Sequence, residues 1–260
     1  RKTQRFPHLG ALLRISSLRF RSTEPSQRTF GPRPCHVRAF TLAEVLLTLA
    51  IIGVVAALTI PAVVTKVTKD QYVVGLKKAY NTLKAVEREA IQEHGPVENW
   101  DWPSNITTNF ERYFLPYFDV LKNCGATEEK GCFAEEHTRI NGSPWTTDFN
   151  NTFSYKIVTS DGMSWAYQNS GYSDSLNVRG WFYVDVNGLK GPNIYGRDIF
   201  SFDFFPSNLG IKPTGSYENF GTIDPISTSY VDSDCSTSSS YSSCGEYCAT
   251  KVLSEGAMNY

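Results

Sequence analysis

The sequence predicts an α+β fold: a long N-terminal α-helix, with a transmembrane half and an amphipathic half, packed on a small antiparallel β-sheet head. Three observations carry that reading. An apolar run of 20 residues spans Val45–Val64, an apolar stripe at helical spacing follows it, and four aromatic-rich, strand-like segments lie further on. The expected organisation is a basic leader over 1–39, a membrane helix over 40–65, an amphipathic helix over 66–95 and a globular head over 96–260.

Net charge is −1, but it is unevenly placed. Residues 1–39 carry nine Lys/Arg against the single acid Glu24, giving +8, and the remaining residues carry −9. A basic segment directly before an apolar run is the orientation signal of a membrane-inserted chain, with the basic side kept in the cytoplasm. The acidic remainder argues against nucleic acid as the main partner, because phosphate binding needs concentrated Lys/Arg. The basic segment is Ser- and Arg-rich with few acids, superficially like an organellar transit peptide, and begins with arginine. It is expected to be a leader, removed or extended too far upstream, and it stays outside the fold argument.

Twenty helical residues rise about 30 Å, the thickness of a bilayer's hydrocarbon core. Within Val45–Val64 only Thr48 and Thr59 carry polar side chains. Two residues are awkward there. Glu44 places a carboxylate at the start of the run, where a bare charge costs roughly 2.5–3.5 kcal/mol on insertion scales. Pro61 removes a backbone donor near its end and is expected to kink or locally melt the helix. Beyond Lys66, Tyr72, Leu76, Ala79, Leu83, Val86 and Ala90 recur at alternating spacings of four and three, one face of a helix. Gly95-Pro96 is expected to end it after His94.

In the head, Asn109–Asn123 reads as a helix interrupted by Pro116. Thr152–Val158, Met163–Gln168, Gly180–Val186 and Asp198–Phe205 read as strands, rich in aromatic and β-branched residues and bounded by turn formers. Asp161-Gly162 marks a hairpin turn between the first two. The five tryptophans all lie in this region and are expected in the core rather than on a sugar-binding platform.

Cys35 belongs to the leader, which leaves five cysteines. A bridge between Cys124 and Cys132 would close a short loop. Serine fills seven of the twelve positions from Asp232 to Ser243, so a staple there is expected, assigned to Cys235 and Cys248 with Cys244 left over. A zinc site is disfavoured, since three residues separate Cys244 from Cys248 and no histidine lies near them in sequence. Only His94 and His137 follow the leader, and no H-E-x-x-H, G-x-S-x-G, P-loop or dinucleotide fingerprint is present. No enzyme is expected.

Arg38-Ala39-Phe40-Thr41-Leu42, the lone Glu44 and the apolar run to Pro61 together resemble the N-terminal signature of type IV pilins and type II secretion pseudopilins. That resemblance implies cleavage by prepilin peptidase between Ala39 and Phe40, N-methylation of Phe40, and assembly roles for Glu44 and Pro61. Glycine is usual where Ala39 stands. The likeness covers residues 38 to about 94, and a weaker one to pseudopilin heads touches Val184–Phe204 and the final Cys248–Tyr260. It implies a filament in which Glu44 meets the terminal amine of a neighbouring subunit, so that two buried charges cancel. Snorkelling of Glu44 to the head groups is the bland alternative.

The loop Asp185–Asp198 offers Asp185, Asn187 and Asp198 as hard oxygen ligands, with glycines and a proline that let carbonyls turn inward, as calcium prefers. Major pseudopilins carry calcium in an equivalent loop, so the resemblance implies Ca²⁺ here. A β-turn with Asx hydrogen bonds explains the same residues, and both readings stand open. The expected function is a structural subunit of a type II secretion or type IV pilus-like filament. Its partners would be other pilin subunits, prepilin peptidase, the membrane and an inner-membrane assembly platform. It would cross the bacterial inner membrane once, with the head exported. The alternative is a monomeric, signal-anchored protein whose aromatic head binds a glycan.

Overall fold

The structure is a computed structural model that describes residues 40–102, 104–147, 149–169, 178–205, 210–216 and 228–260. The chain divides into two compact units, one ending at Ile51 and the other running from Ile52 to Tyr260. Of the first, residues 40–51 are described, and they open helix α1, Leu42–His94. The helix assignment passes through Pro61 without a break, so no melted turn accompanies the proline. Thr65 Oγ1 donates to the Pro61 carbonyl at 2.9 Å.

In the second unit the apolar stripe of α1 is the spine of the core. Tyr72, Leu76, Ala79, Leu83, Val86 and Ala90 are all buried, as the four-three spacing requires of one face. Helix α2, Ile106–Tyr113, follows, capped by the Asn105 side chain accepting from the Thr108 amide at 3.1 Å. Among the described residues eight strands come next: β1 Val120–Gly125, β2 Thr138–Arg139, β3 Tyr155–Thr159, β4 Ser164–Asn169, β5 Gly180–Asp185, β6 Ile194–Tyr195, β7 Ile199–Phe205 and β8 Gly210–Pro213. Helices α3, Thr228–Asp234, and α4, Cys248–Glu255, close the chain.

The strands form one sheet in the order β1-β3-β4-β5-β7-β6-β2, with β8 also paired to β7. It is larger than the small antiparallel sheet expected, and it is mixed, because β6 pairs in parallel with both β2 and β7. The expected helix over Asn109–Asn123 is corrected as well. Helix α2 stops at Tyr113, Pro116 sits in a 3-10 turn over Leu115–Tyr117, and Val120–Gly125 is a strand. Past the proline the segment finds antiparallel partners along β3, pairing Val120 with Thr159 and Asn123 with Ile157. Those pairings satisfy backbone groups that a proline-broken helix would leave open.

Strand β7 is buried on both faces and shows how the layers are arranged. Phe200, Phe202 and Phe204 join the α1 core, where Tyr80 stacks on Phe202 with ring centroids 5.7 Å apart. The alternate residue Ile199 faces a second cluster with Phe133, Trp145, Phe149 and Tyr195. Two close approaches fix α1 against the sheet. Gly75 leaves room for Val186, whose Cβ would lie 2.9 Å from any Cβ at position 75. Glu87, buried and ion-paired with Lys84, accepts the Ile211 amide at 3.1 Å, and it occupies the space a side chain at Gly210 would need.

Candidate functional site

The helix start is built by its own first turn. The Thr41 amide donates to Glu44 Oε2 at 2.9 Å and the Thr41 hydroxyl donates to the same oxygen at 3.0 Å. The Glu44 amide in turn donates to Thr41 Oγ1 at 3.2 Å. This reciprocal pattern is a capping box, with Thr41 at the N-cap and Glu44 three residues into the helix. The carboxylate is therefore hydrogen-bonded through one oxygen, and its charge complements the positive end of the helix dipole. The signal T-x-x-E was present in the sequence, but a reading centred on the cost of the charge passes over it.

The rest of the run is arranged for a non-aqueous surrounding. Phe40 is 85% exposed, and Leu46, Leu49, Ile52, Val55, Leu58 and Val63 are exposed along the helix. Its two polar side chains are spent internally: Thr48 Oγ1 donates to the Val45 carbonyl and Thr59 Oγ1 to the Val55 carbonyl, both at 2.9 Å. Neither threonine then leaves an open side-chain donor on the run's apolar surface, as a bilayer would require. Among the described residues α1 is the one helix long and apolar enough to cross a membrane. Ala39 lies outside the described residues.

The Asp185–Asp198 loop sits where β5 meets β7, with Asp185 opposite Ile199 and the Val186 amide donating to the Asp198 carbonyl at 2.9 Å. Both carboxylates are buried. An Asx turn is present, since the Asn187 amide donates to Asp185 Oδ1 at 3.2 Å. The turn leaves the other oxygen unspent: Asp185 Oδ2 and Asn187 Oδ1 are buried without a hydrogen bond. Ser164 Oγ, on the residue paired with Asp185 across β4 and β5, is a third such oxygen. Asp198 is placed differently. Its two oxygens accept the Asn193 and Ile194 amides at 2.9 and 2.6 Å, so it shapes the loop and supplies charge. Burial first, then the Asp198 charge, pushes Asp185 up to about 9. Burial also raises Asp198, against the amides and Arg197 that lower it.

Buried, unpaired oxygens beside a second carboxylate fit a hard cation, which would restore the ionised form of Asp185. No three His, Cys, Asp or Glu side chains form a metal-ligand group among the described residues, so the donor set is two acids, an amide and a hydroxyl. Ser164 escapes a sequence reading because only the β4–β5 register brings it opposite Asp185.

Two bridges staple the head, Cys124–Cys132 and Cys235–Cys248. Such bridges belong to an oxidising compartment. Cys244 is a buried free thiol, 3.6 Å from the Ser236 carbonyl, and burial raises its pKa. His94 lies edge-on to Tyr113, and His137 sits among Phe133, Trp145 and Phe149.

One of the comparisons with known proteins bears on the first of these regions. The family model of the prokaryotic N-terminal methylation motif matches residues 35–60. The searches of curated proteins and of solved structures returned no match. The matched residues contain the capped helix start, Glu44 and most of the exposed apolar run. The chain thus carries the prepilin-type signal of type IV pilins and pseudopilins, which marks it as a membrane-anchored, exported, pilin-like substrate of prepilin peptidase.

Proposed function

We propose that the chain is a structural subunit of a type II secretion or type IV pilus-like filament. The observation that carries this reading is the methylation motif coinciding with a capped helix whose apolar side chains are unpartnered. Residues 1–39 would be the leader and 40–65 the anchor and later the filament core. Residues 66–95 would tie that helix to the head over 96–260. Prepilin peptidase would cut between Ala39 and Phe40 at the cytoplasmic face of the inner membrane, leaving one membrane pass with the head outside. An assembly platform would then draw subunits from the bilayer, where neighbouring helices would replace lipid around the apolar run.

The glycan-binding alternative loses its main support. Trp100, Trp145 and Trp165 are buried and Trp102 and Trp181 are half-buried, so no tryptophan is left as an open stacking platform. Co-expression with prepilin peptidase is expected to give an intact mass beginning at N-methylated Phe40. A chain that keeps Ala39 and the basic segment under those conditions would sink the filament reading.

We also infer that Asp185, Asn187 and Ser164, with the Asp198 charge beside them, hold calcium. A hard dication would neutralise the buried acids and take up the three unspent oxygens. Calcium about a hundredfold above its dissociation constant is expected to stabilise the full chain by about 2–3 kcal/mol. Asp185→Asn should remove the response. An unchanged melting temperature in millimolar calcium would reject the site.

A further inference from the structure

A cavity of about 120 Å³ in the second unit brings Lys69 of α1 together with Arg197 and Thr237, against a wall of Ile140, Ile194 and Met258. Its polar groups are under-used. Arg197 Nε is buried without a hydrogen-bond partner, and no side chain among the described residues forms an ion pair with that guanidinium. The residue is held firmly nonetheless. Its amide donates to the Ile194 carbonyl at 2.9 Å, and the Tyr260 hydroxyl clamps the preceding Gly196 carbonyl at 2.6 Å. Lys69 Nζ donates to the main-chain oxygens of Met258 and Tyr260, which leaves one of an ammonium's three donors open. Its neighbour in sequence, Asp198, feels Arg197 electrostatically but has both oxygens occupied by backbone amides.

A guanidinium fork, an ammonium and a hydroxyl converging beside apolar walls match a phosphate attached to something greasy. The position along α1 says what that is. Lys69 stands five residues beyond Val64, the last residue of the apolar run, a rise of about 7.5 Å. The head-group layer outside the hydrocarbon core is about 5–8 Å thick on each side. We propose that this cavity holds the phosphate of an anionic phospholipid from the leaflet that faces the head. The inference rests on membrane anchoring of α1 and not on filament assembly, so it stands or falls separately from that reading.

Phosphate chemistry is shared with the free ion, and the test separates the two sources. The full chain is placed in nanodiscs of phosphatidylcholine with or without phosphatidylglycerol and released for native mass spectrometry. One phosphatidylglycerol is expected to stay with the wild-type chain, and Arg197→Gln should reduce that retention by at least about tenfold. Arg197→Lys should keep part of it, and an unchanged melting temperature in both variants confirms that they fold. Equal retention by wild type and Arg197→Gln would overturn the proposal. So would a melting temperature raised by millimolar inorganic phosphate with no lipid retained, which would assign the cavity to the free ion.

Discussion

At pH 5 and without calcium, the head is expected to melt about 5–10 °C higher than at pH 8. The cause is a set of carboxylates that the fold buries. Asp203 on β7 is 7% exposed, and burial pushes it up to about 7, against one lowering hydrogen bond from Thr214 Oγ1 at 2.9 Å. Glu246 reaches about 7 as well, raised by burial and then by Asp203 and Asp234, with Arg139 opposing. Tyr183, Tyr195 and Tyr247 complete the surroundings. These acids have folded pKa values above their unfolded ones, so the folded state holds their protons more tightly. Their contribution is complete below about pH 4 and is lost as pH rises through 7. Asp203 alone loses about 2 kcal/mol between pH 5 and pH 7, because the slope of about 1.4 kcal/mol for each pH unit halves as its folded pKa is reached. Asp185 extends the decline toward pH 9 unless a cation occupies its loop. Groups shifted the other way, such as Asp161 and Glu255, act only near and below their ordinary values around pH 4. Asp203→Asn keeps an oxygen for Thr214 and removes the titration. It should raise the melting temperature at pH 8 and flatten the profile between pH 5 and 8. A flat wild-type profile, or an unchanged slope in the variant, would refute the assignment.

Asp203 also shows why part of the head was illegible in the sequence. The run Asp198–Phe205 alternates aromatic and small or polar residues, which points to a strand with one wet face. The structure covers that face with residues some 40 positions away, Glu246 and Tyr247 among them, and nothing local announces it. Helix α1 was legible because its stripe alone decides which side is buried. The central strands were legible because their alternation and turns are local, as at Gly162, whose φ of +85° suits the expected hairpin. Strands β2 and β6 have two residues each and exist only through their partners. At the signal the motif was readable, while its geometry was not, since Glu44 was weighed as a charge in lipid and not as half of a cap.

That distinction gives the sharpest test of assembly. Replacing Glu44 with alanine removes the cap and the charge together, so loss of filament incorporation in that variant does not say which mattered. Glu44→Gln separates them, because glutamine serves equally at the third position of a capping box. It should keep the bonds from the Thr41 amide and hydroxyl, which now run to Oε2 at 2.9 and 3.0 Å. What it loses is the negative charge that would meet the Phe40 amine of the next subunit. Leaving one buried charge unpaired costs about 3–5 kcal/mol, a loss of more than about a hundredfold in the incorporation equilibrium. Glu44→Gln is therefore expected to be exported, cleaved and methylated like the wild type, and to be nearly absent from sheared filaments. Thr41→Ala, which weakens the cap by about 1 kcal/mol and keeps the charge, should still assemble. If the glutamine variant assembles normally while Thr41→Ala fails, Glu44 acts by starting the helix, and the charge pair between subunits is not what selects them.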